Sequence, residues 1–272
     1  MKETERVQSG HNGSSLYDCT ASMVIYRNPP AVIRQAAESF LDTDCSVRLT
    51  VVDNSPADDL RTAFDSLPIS YHHSGENVGY GRGHNWAIFS AEPSRYHLVL
   101  NPDIRIMPGT IRSLVQFMEG HPDAGMVCPR VLNEDGSDQY LNKRYPSVMD
   151  FFLRRFMPPA LKPLFRKRLE RYEMRDVGYD DVCDVEVMTG AFMLCRTDIL
   201  KKLAGFDPRY FLYFEDYDLS RKFQEHGFRT LYYPKSAVIH FWTRGSHRHI
   251  RMTMIFIVNM CRYFRKWGWK WR

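Results

Sequence analysis

The run 210–219, Tyr-Phe-Leu-Tyr-Phe-Glu-Asp-Tyr-Asp-Leu, drives five apolar or aromatic residues directly into Glu215, Asp216 and Asp218. Partial desolvation raises a carboxyl pKa and makes the group a better proton acceptor, so the run suits a general base. The alternative is a helix N-terminus, where acids favour the positive end of the dipole. Other groups suit a phosphorylated ligand. Asn101-Pro102-Asp103 follows the apolar run 96–100. A carboxylate beyond a strand end is where a divalent cation and a diphosphate can meet, although Asn-Pro and Asp also make a plain turn. His240 follows the apolar run 237–239 in the same way. A His and an Asp at adjacent strand ends can share one metal, with diphosphate oxygens and water completing the shell.

Asp53-Asn54-Ser55 closes a third apolar run, 47–52. Its acid can accept from a ribose hydroxyl or a base N–H, and the triplet equally suits an Asx-turn. Between 76 and 85, Gly79, Gly81 and Gly83 alternate with polar residues. Such a backbone can approach a ligand closely, with Asn77, Arg82 and Asn85 able to hydrogen-bond it. The spacing is neither a Walker loop nor a Rossmann fingerprint. A flexible turn before a helix over 85–90 is the alternative.

The elements that must position these residues follow from hydrophobic patterning. Strand 19–26, helix 31–41 after Pro29-Pro30, strand 47–52 and helix 57–67 predict a parallel, doubly wound sheet, whose ligands bind beyond the carboxyl ends of the strands. Helix 107–118 and strands 96–100, 124–129, 192–195, 230–233 and 237–239 continue the α/β pattern. Helix 199–204 is expected to be capped by Thr197-Asp198, and helix 218–226 to close at Gly227. The segment 151–175 carries eight Lys or Arg against Glu170 and Glu173, with three prolines. It reads as a solvated surface segment, or as a mobile basic insertion over a site.

The chain has 272 residues, 44% hydrophobic and 25% charged, which is enough for one large domain or two small ones. After Glu225 there is no acid, and 226–272 holds ten Lys or Arg. Such asymmetry points to an anionic partner: lipid, nucleic acid or a phosphorylated substrate. Residues 250–272 join an apolar run to Trp267, Trp269 and Trp271 interleaved with cations, the composition of an interfacial helix, or of a C-terminal helix packed on the domain. Residues 1–17 read as disordered and carry no secretory signal. No run reaches the ~20 apolar residues of a membrane span. Six cysteines without CxxC or zinc spacing read as reduced thiols of a cytoplasmic protein.

In order, 51–55, 76–81 and Asn101-Pro102-Asp103 resemble the nucleotide-binding half of inverting family 2 glycosyltransferases of the GT-A fold. Thr189-Gly190-Ala191-Phe192, Gly205-Phe206-Asp207, 214–219 and His240 resemble their acceptor half. The similarity is greatest to bacterial rhamnosyltransferases that extend polyprenyl-diphosphate-linked O-antigen or cell-wall glycans. It implies a GT-A-type doubly wound mixed sheet at 18–249, with a nucleotide-sugar half (18–130) and an acceptor half (131–249), followed by an amphipathic, membrane-proximal tail (250–272).

The resemblance also implies roles. Asp53 binds the nucleoside, and Asn77, Gly79, Gly81 and Asn85 line its pocket. Asn101-Pro102-Asp103 stands at the family's Asp-x-Asp, with Asn101 replacing the first acid. Asp103 and His240 hold Mg2+ or Mn2+. Arg244 contacts the diphosphate. Asp216 is the catalytic base, with Glu215, Thr189, Gly190 and Trp242 near the acceptor. The implied donor is dTDP-L-rhamnose, the acceptor a polyprenyl-diphosphate-linked saccharide, and the location the inner face of the cytoplasmic membrane. A nucleotidyltransferase and a non-catalytic nucleotide-sugar binding protein are the alternatives. Nucleic acid is not an expected partner, because the acids of the strand-end pocket repel phosphates without a cation.

Overall fold

The computed structural model describes residues 16–241 and 250–272. Nine strands form one mixed sheet. They are β1 (Tyr17–Ile25), β2 (Val47–Asp53), β3 (Ile69–His73), β4 (Ser94–Leu100), β5 (Ile104–Ile106), β6 (Ala124–Leu132), β7 (Cys183–Asp184), β8 (Phe192–Arg196) and β9 (Arg229–His240). The order is β3-β2-β1-β4-β8-β6-β9-β5, with β7 on β9. The first four neighbours are parallel, β8 runs antiparallel between β4 and β6, and β6 and β9 are parallel again. The strands of the first half and those of the second half therefore share one sheet.

Helices α1 (Pro30–Leu41), α2 (Tyr80–Ser90), α3 (Thr110–Glu119) and α6 (Thr197–Lys202) cover this sheet. The strands bury near-continuous apolar runs, as expected where helices cover both faces. A buried polar network crosses the middle strands: Thr20 Oγ1 lies 2.8 Å from His97 Nδ1, and Ser22 Oγ joins His97 Nε2 (2.9 Å) to His84 Nδ1 (2.7 Å). Burial holds both imidazoles below the ordinary histidine pKa; His97 is bonded through both ring nitrogens and His84 through Nδ1 alone.

Several expectations give way. The helix expected over 57–67 is only a 3₁₀ turn at Arg61–Phe64. Only Leu60 and Phe64 are buried there, too narrow a stripe to hold a helix on the core. The glycine-rich run is not a loop: α2 begins at Tyr80, and Gly81 and Gly83 lie inside it. A Cβ at Gly83 would meet Val24 Cγ2 at 2.9 Å, and one at Gly81 would meet Phe206 Cβ at 3.0 Å, so these glycines serve close packing. The two short strands at 230–239 are one strand, β9. Its register with β6 jumps from Tyr233 to Ala237, where Pro234 cannot donate to the ladder. Thr197 does not cap α6 but lies 3.1 Å from Ser94 Oγ. Tyr17 already belongs to β1, and the remainder of the expected disordered terminus, up to residue 15, lies outside the described residues.

The basic segment 151–175 lies at the surface, with most of its residues exposed, and is folded. It contains the end of α4 (Val148–Arg155), a 3₁₀ turn (Pro159–Phe165) and α5 (Arg166–Tyr172). Phe151, Leu153, Tyr172 and Met174 are buried, which anchors the segment despite its charge. A capping box at Ser147 and Asp150 starts α4, and Arg168 pairs with Asp150 at 2.7 Å.

The tail forms α8 (Ile250–Trp267), packed against α4 and α7 (Glu215–Glu225). Tyr263 and Phe264 join Phe151, Tyr210 and Phe214 in one aromatic cluster. Asp218, fully buried in the first turn of α7, receives Lys266 Nζ at 2.7 Å and Trp267 Nε1 at 2.7 Å. Removing one partner of a buried charge leaves it uncompensated. Lys266→Ala is therefore expected to lower unfolding stability by about 3 kcal/mol, read from urea denaturation. A loss within the error of the fit would show that Asp218 does not depend on this contact.

Candidate active site

The register of the sheet brings Asp103 and His240 together across 137 positions of sequence. Ile104 of β5 pairs with His240 of β9, and the Phe241 amide donates to the Asp103 carbonyl at 2.9 Å. His240 Nε2 and Asp103 Oδ1 are 3.3 Å apart. Gln139 fixes the ring: its amide nitrogen donates to the His240 carbonyl (2.7 Å), and its Oε1 lies 2.8 Å from His240 Nδ1. With Nδ1–H donated to Gln139, the Nε2 lone pair faces the Asp103 carboxylate. Asp103 Oδ1 is buried with no hydrogen-bond partner among the described residues. Two facing lone pairs want a proton or a cation between them, so the pair fits a divalent ion, one N and one O donor with the rest of the shell left open. Among the described residues no group of three or more His, Cys, Asp or Glu side chains is placed to hold a metal ion, so the described protein donors at this point are these two.

Asp103 and His240 lie on the wall of a cavity of about 640 Å³, which also carries Asn77, Asn101, Glu215 and Asp216. That volume suits a nucleotide-sized ligand. The cavity opens at the carboxyl ends of β1 and β4, the expected switch-point position.

The opposite side is built by the first turn of α7. Tyr213 and Phe214 enter it with φ of 71° and 74°, a left-handed conformation costly for aromatic residues. Burial of Phe214 in the aromatic cluster stabilises this entry. The resulting geometry exposes Asp216 to the cavity and directs Asp218 inward. The Gly190 amide donates to Asp216 Oδ2 (3.1 Å) and the Tyr217 amide to Oδ1 (2.9 Å). Burial raises its carboxyl pKa, and the amides only partly offset this. Glu215 is raised too, by burial and then by the Asp216 charge, and its buried Oε2 has no partner. Tyr80 ties the two sides of the cavity together. Its hydroxyl reaches the Gly190 carbonyl at 2.6 Å and Asn101 Oδ1 at 3.0 Å.

Of the residues singled out by sequence, Asn77, Gly79, Asn101, Asp103, Thr189, Gly190, Glu215, Asp216 and His240 line this cavity. Others do not. Arg82 Nε donates to the Pro208 carbonyl at 2.9 Å, away from the cavity wall. Asp53 is fully buried: its Oδ2 accepts from the Tyr71 hydroxyl (2.6 Å) and its Oδ1 from the Ser55 amide (2.8 Å), the Asx-turn alternative, while neighbouring Asn54 lines the wall. Gly81 is a packing position in α2. Asn85 clamps the Phe206 backbone, donating to its carbonyl (2.7 Å) and accepting from its amide (2.8 Å). Arg244 and Trp242 lie outside the described residues.

Sequence reasoning missed Tyr80, Lys143, Arg154 and Tyr217, all on the wall. Lys143 is buried, donates to the Tyr140 carbonyl, and is held well below the ordinary lysine pKa by burial. Its neighbours in sequence carry no signal. Arg154 belonged to the basic segment, whose charge gave a signal without a position.

Residues 69–253 match the family model described as Glycosyltransferase like family 2. The chain is 29% identical over 275 residues to an N-acetylglucosaminyl-diphospho-decaprenol L-rhamnosyltransferase of Mycobacterium tuberculosis, covering 92% of this chain and 85% of that protein. It is 26% identical over 201 residues to the Rhamnosyltransferase WbbL of Escherichia coli, covering 68% and 72%. A structure of GalNAc-T7 with UDP, GalNAc and Mn2+ aligns with a TM-score of 0.63 at 14% identity, over 85% of this chain and 44% of that one. The mannosyltransferase PcManGT from Pyrobaculum calidifontis, in complex with GDP-Man and Mn2+, aligns at 0.57 and 15% identity, over 86% and 59%. This chain thus spans less than two thirds of either solved protein, and at these identities the likeness shows the GT-A fold alone.

The two carboxylates of α7 provide a direct test of the site's electrostatics. Asp216→Asn is expected to lower the apparent pKa of Glu215, because the neighbouring charge is gone while burial remains. Side-chain carboxyl 13C NMR reads this. An unchanged Glu215 titration would show that the two groups do not interact.

Proposed function

The chain belongs to the Glycosyltransferase like family 2, and we propose that it transfers L-rhamnose from dTDP-L-rhamnose to a hydroxyl of a lipid-linked saccharide in bacterial surface glycan synthesis. The observation that carries this reading is one cavity with a diphosphate-suited Asp103–His240 pair on one side and a raised carboxylate, Asp216, on the other. Similarity to two rhamnosyltransferases, one of them acting on N-acetylglucosaminyl-diphospho-decaprenol, supports the sugar and the acceptor class.

Asp216 accepts the proton of the acceptor hydroxyl as that oxygen attacks the anomeric carbon. The C–O bond to the nucleoside diphosphate breaks, and its electron pair leaves with the diphosphate. A single displacement from the opposite face inverts the anomeric centre, through an oxocarbenium-like transition state. Asp216 keeps its orientation because two backbone amides hold it, and its raised pKa makes it a stronger base than a solvated aspartate. Tyr80 holds Gly190 and Asn101 in a common frame, so base and donor site stay in register. Asp103 and His240 would hold a divalent cation, which supplies neutralisation of the developing diphosphate charge. Asn54, Asn77 and Gly79 line the part of the cavity open to the nucleoside.

We also propose that the protein works at a membrane surface, attached through α8 and the residues after it. No helix among the described residues is long and apolar enough to cross a membrane. Ile250, Met254, Val258, Trp269 and Trp271 are exposed, beside Arg251, Arg265 and Lys270. Apolar side chains with Trp and cations suit reversible interfacial binding.

Four outcomes are expected. Asp216→Asn lowers transfer by about 10²–10⁴-fold while nucleotide binding persists; near-normal turnover would remove Asp216 from its role. The wild-type rate falls as pH drops through the raised carboxyl pKa, so the acid limb of kcat/KM lies above the ordinary aspartate value of 3.8. A limb at or below that value would contradict an Asp216 base. In a thermal-shift panel of dTDP, UDP, GDP and CDP with Mg2+ or Mn2+, dTDP stabilises selectively and the shift is lost in Asp103→Ala. A larger shift from another nucleotide would replace the donor. Liposome co-sedimentation tests attachment: binding to anionic vesicles weakens with salt and with Trp269→Ser/Trp271→Ser, and unaltered binding by that variant would refute the tail as anchor.

A further inference from the structure

A second cavity, of about 1000 Å³, lies beside the first, between the basic segment and α8. Five cations line it, Arg154, Arg155, Lys162, Arg166 and Arg175, against two acids, Glu170 and Glu173. The excess of three positive charges is concentrated in one concave site. The acids are already engaged: Arg166 Nε lies 2.7 Å from Glu170, and Arg175 lies 2.6 Å from Glu173. The remaining wall is aromatic, from Phe151, Tyr213, Tyr217 and Phe256. Positive charge beside rings suits a ligand with an anionic head and an apolar body.

We propose that this cavity binds the diphosphate of a prenyl-diphosphate-linked acceptor, with Lys162 and Arg166 on the phosphates. The proposal rests on the glycosyl-transfer reading above and gives the acceptor its own place. Arg154 and Tyr217 line both cavities. A ligand held by its phosphates in the second cavity therefore extends its saccharide past Arg154 toward Asp216. Tyr217 is held at this boundary by a 2.7 Å hydrogen bond to Tyr172, and Arg154 lies over the Tyr172 ring at 5.3 Å. The donor's diphosphate has a separate destination at Asp103 and His240. The turn that carries Lys162 also exposes Leu161, Leu164 and Phe165, with Leu164 77% accessible. Those side chains provide an apolar surface next to the phosphate ligands, where a prenyl chain leaves the cavity for the bilayer.

The test is a direct titration of the full-length protein with farnesyl diphosphate in EDTA, followed by tryptophan fluorescence. EDTA removes any cation that would draw the probe to Asp103 and His240. The wild type is expected to bind farnesyl diphosphate more tightly than farnesol or inorganic diphosphate. Lys162→Glu/Arg166→Glu is expected to weaken farnesyl diphosphate at least about tenfold, an energy of about 1.4 kcal/mol, and to leave farnesol unchanged. Asp103→Ala is expected to bind as the wild type does. Circular dichroism and the dTDP thermal shift check that the charge-reversed variant is folded with its first cavity intact. Absent binding by the wild type, equal affinity in the charge-reversed variant, or loss in Asp103→Ala would each overturn the proposal. A failure of the nucleotide panel with this titration intact would instead count against the donor assignment. Equal weakening of inorganic diphosphate and farnesyl diphosphate, with no advantage for the prenyl compound, would reduce the site to a phosphate site and overturn its lipid assignment.

Discussion

Three carboxylates share the first turn of α7, and the arrangement of the site depends on how their mutual repulsion is handled. Each meets a different environment. Asp218 is buried and paired with Lys266 and Trp267. Glu215 is buried, and its Oε2 has no partner, which favours its protonated form. Asp216 is held by two amides and opens on the cavity. Neighbouring acids whose surroundings push them apart in pKa can take separate roles at one pH. The turn itself adopts left-handed backbone at Tyr213 and Phe214, a conformation tolerated only because packing over-determines it.

That dependence makes α8 part of the site. Asn259 Nδ2 donates to the Leu212 carbonyl at 2.9 Å, and Arg262 donates to the Arg209 carbonyl, so the helix grips the loop that precedes α7 as well as Asp218. Asp207, at the start of that loop, is pushed up by burial but held below the ordinary carboxylate range by the Arg209 fork and Lys266. A segment whose outer face carries exposed Ile, Met, Val and Trp thus also sets the geometry of the acid turn.

The mixed sheet performs the other half of the assembly. Antiparallel β8 joins the parallel nucleotide strands to β6 and β9, which brings His240 back to the strand end where Asp103 stands. Tyr80 then spans the cavity between Asn101 and Gly190. Two cavities meet at Arg154 and Tyr217, which line both.

The sequence by itself determined β1, β2, β4, β6 and β8, the acid turn and the strand-end residues, because their signals are local: apolar runs, turn chemistry and carboxylates next to aromatics. The ordered motifs also pointed to the family. Tertiary structure alone decided what each residue faces. Asp53 and Asn54 are adjacent, yet Tyr71, one strand away on β3, captures Asp53 and leaves Asn54 on the wall. The glycines between 79 and 83 read as loop because their reason, contact with Val24 and Phe206, lies on distant elements. Lys143 reaches the wall through its backbone pairing with Val187, and Arg154 through the folding of a segment whose charge suggests solvent. A local pattern specifies how a segment folds; the partner that shields or exposes its side chains comes from elsewhere in the chain.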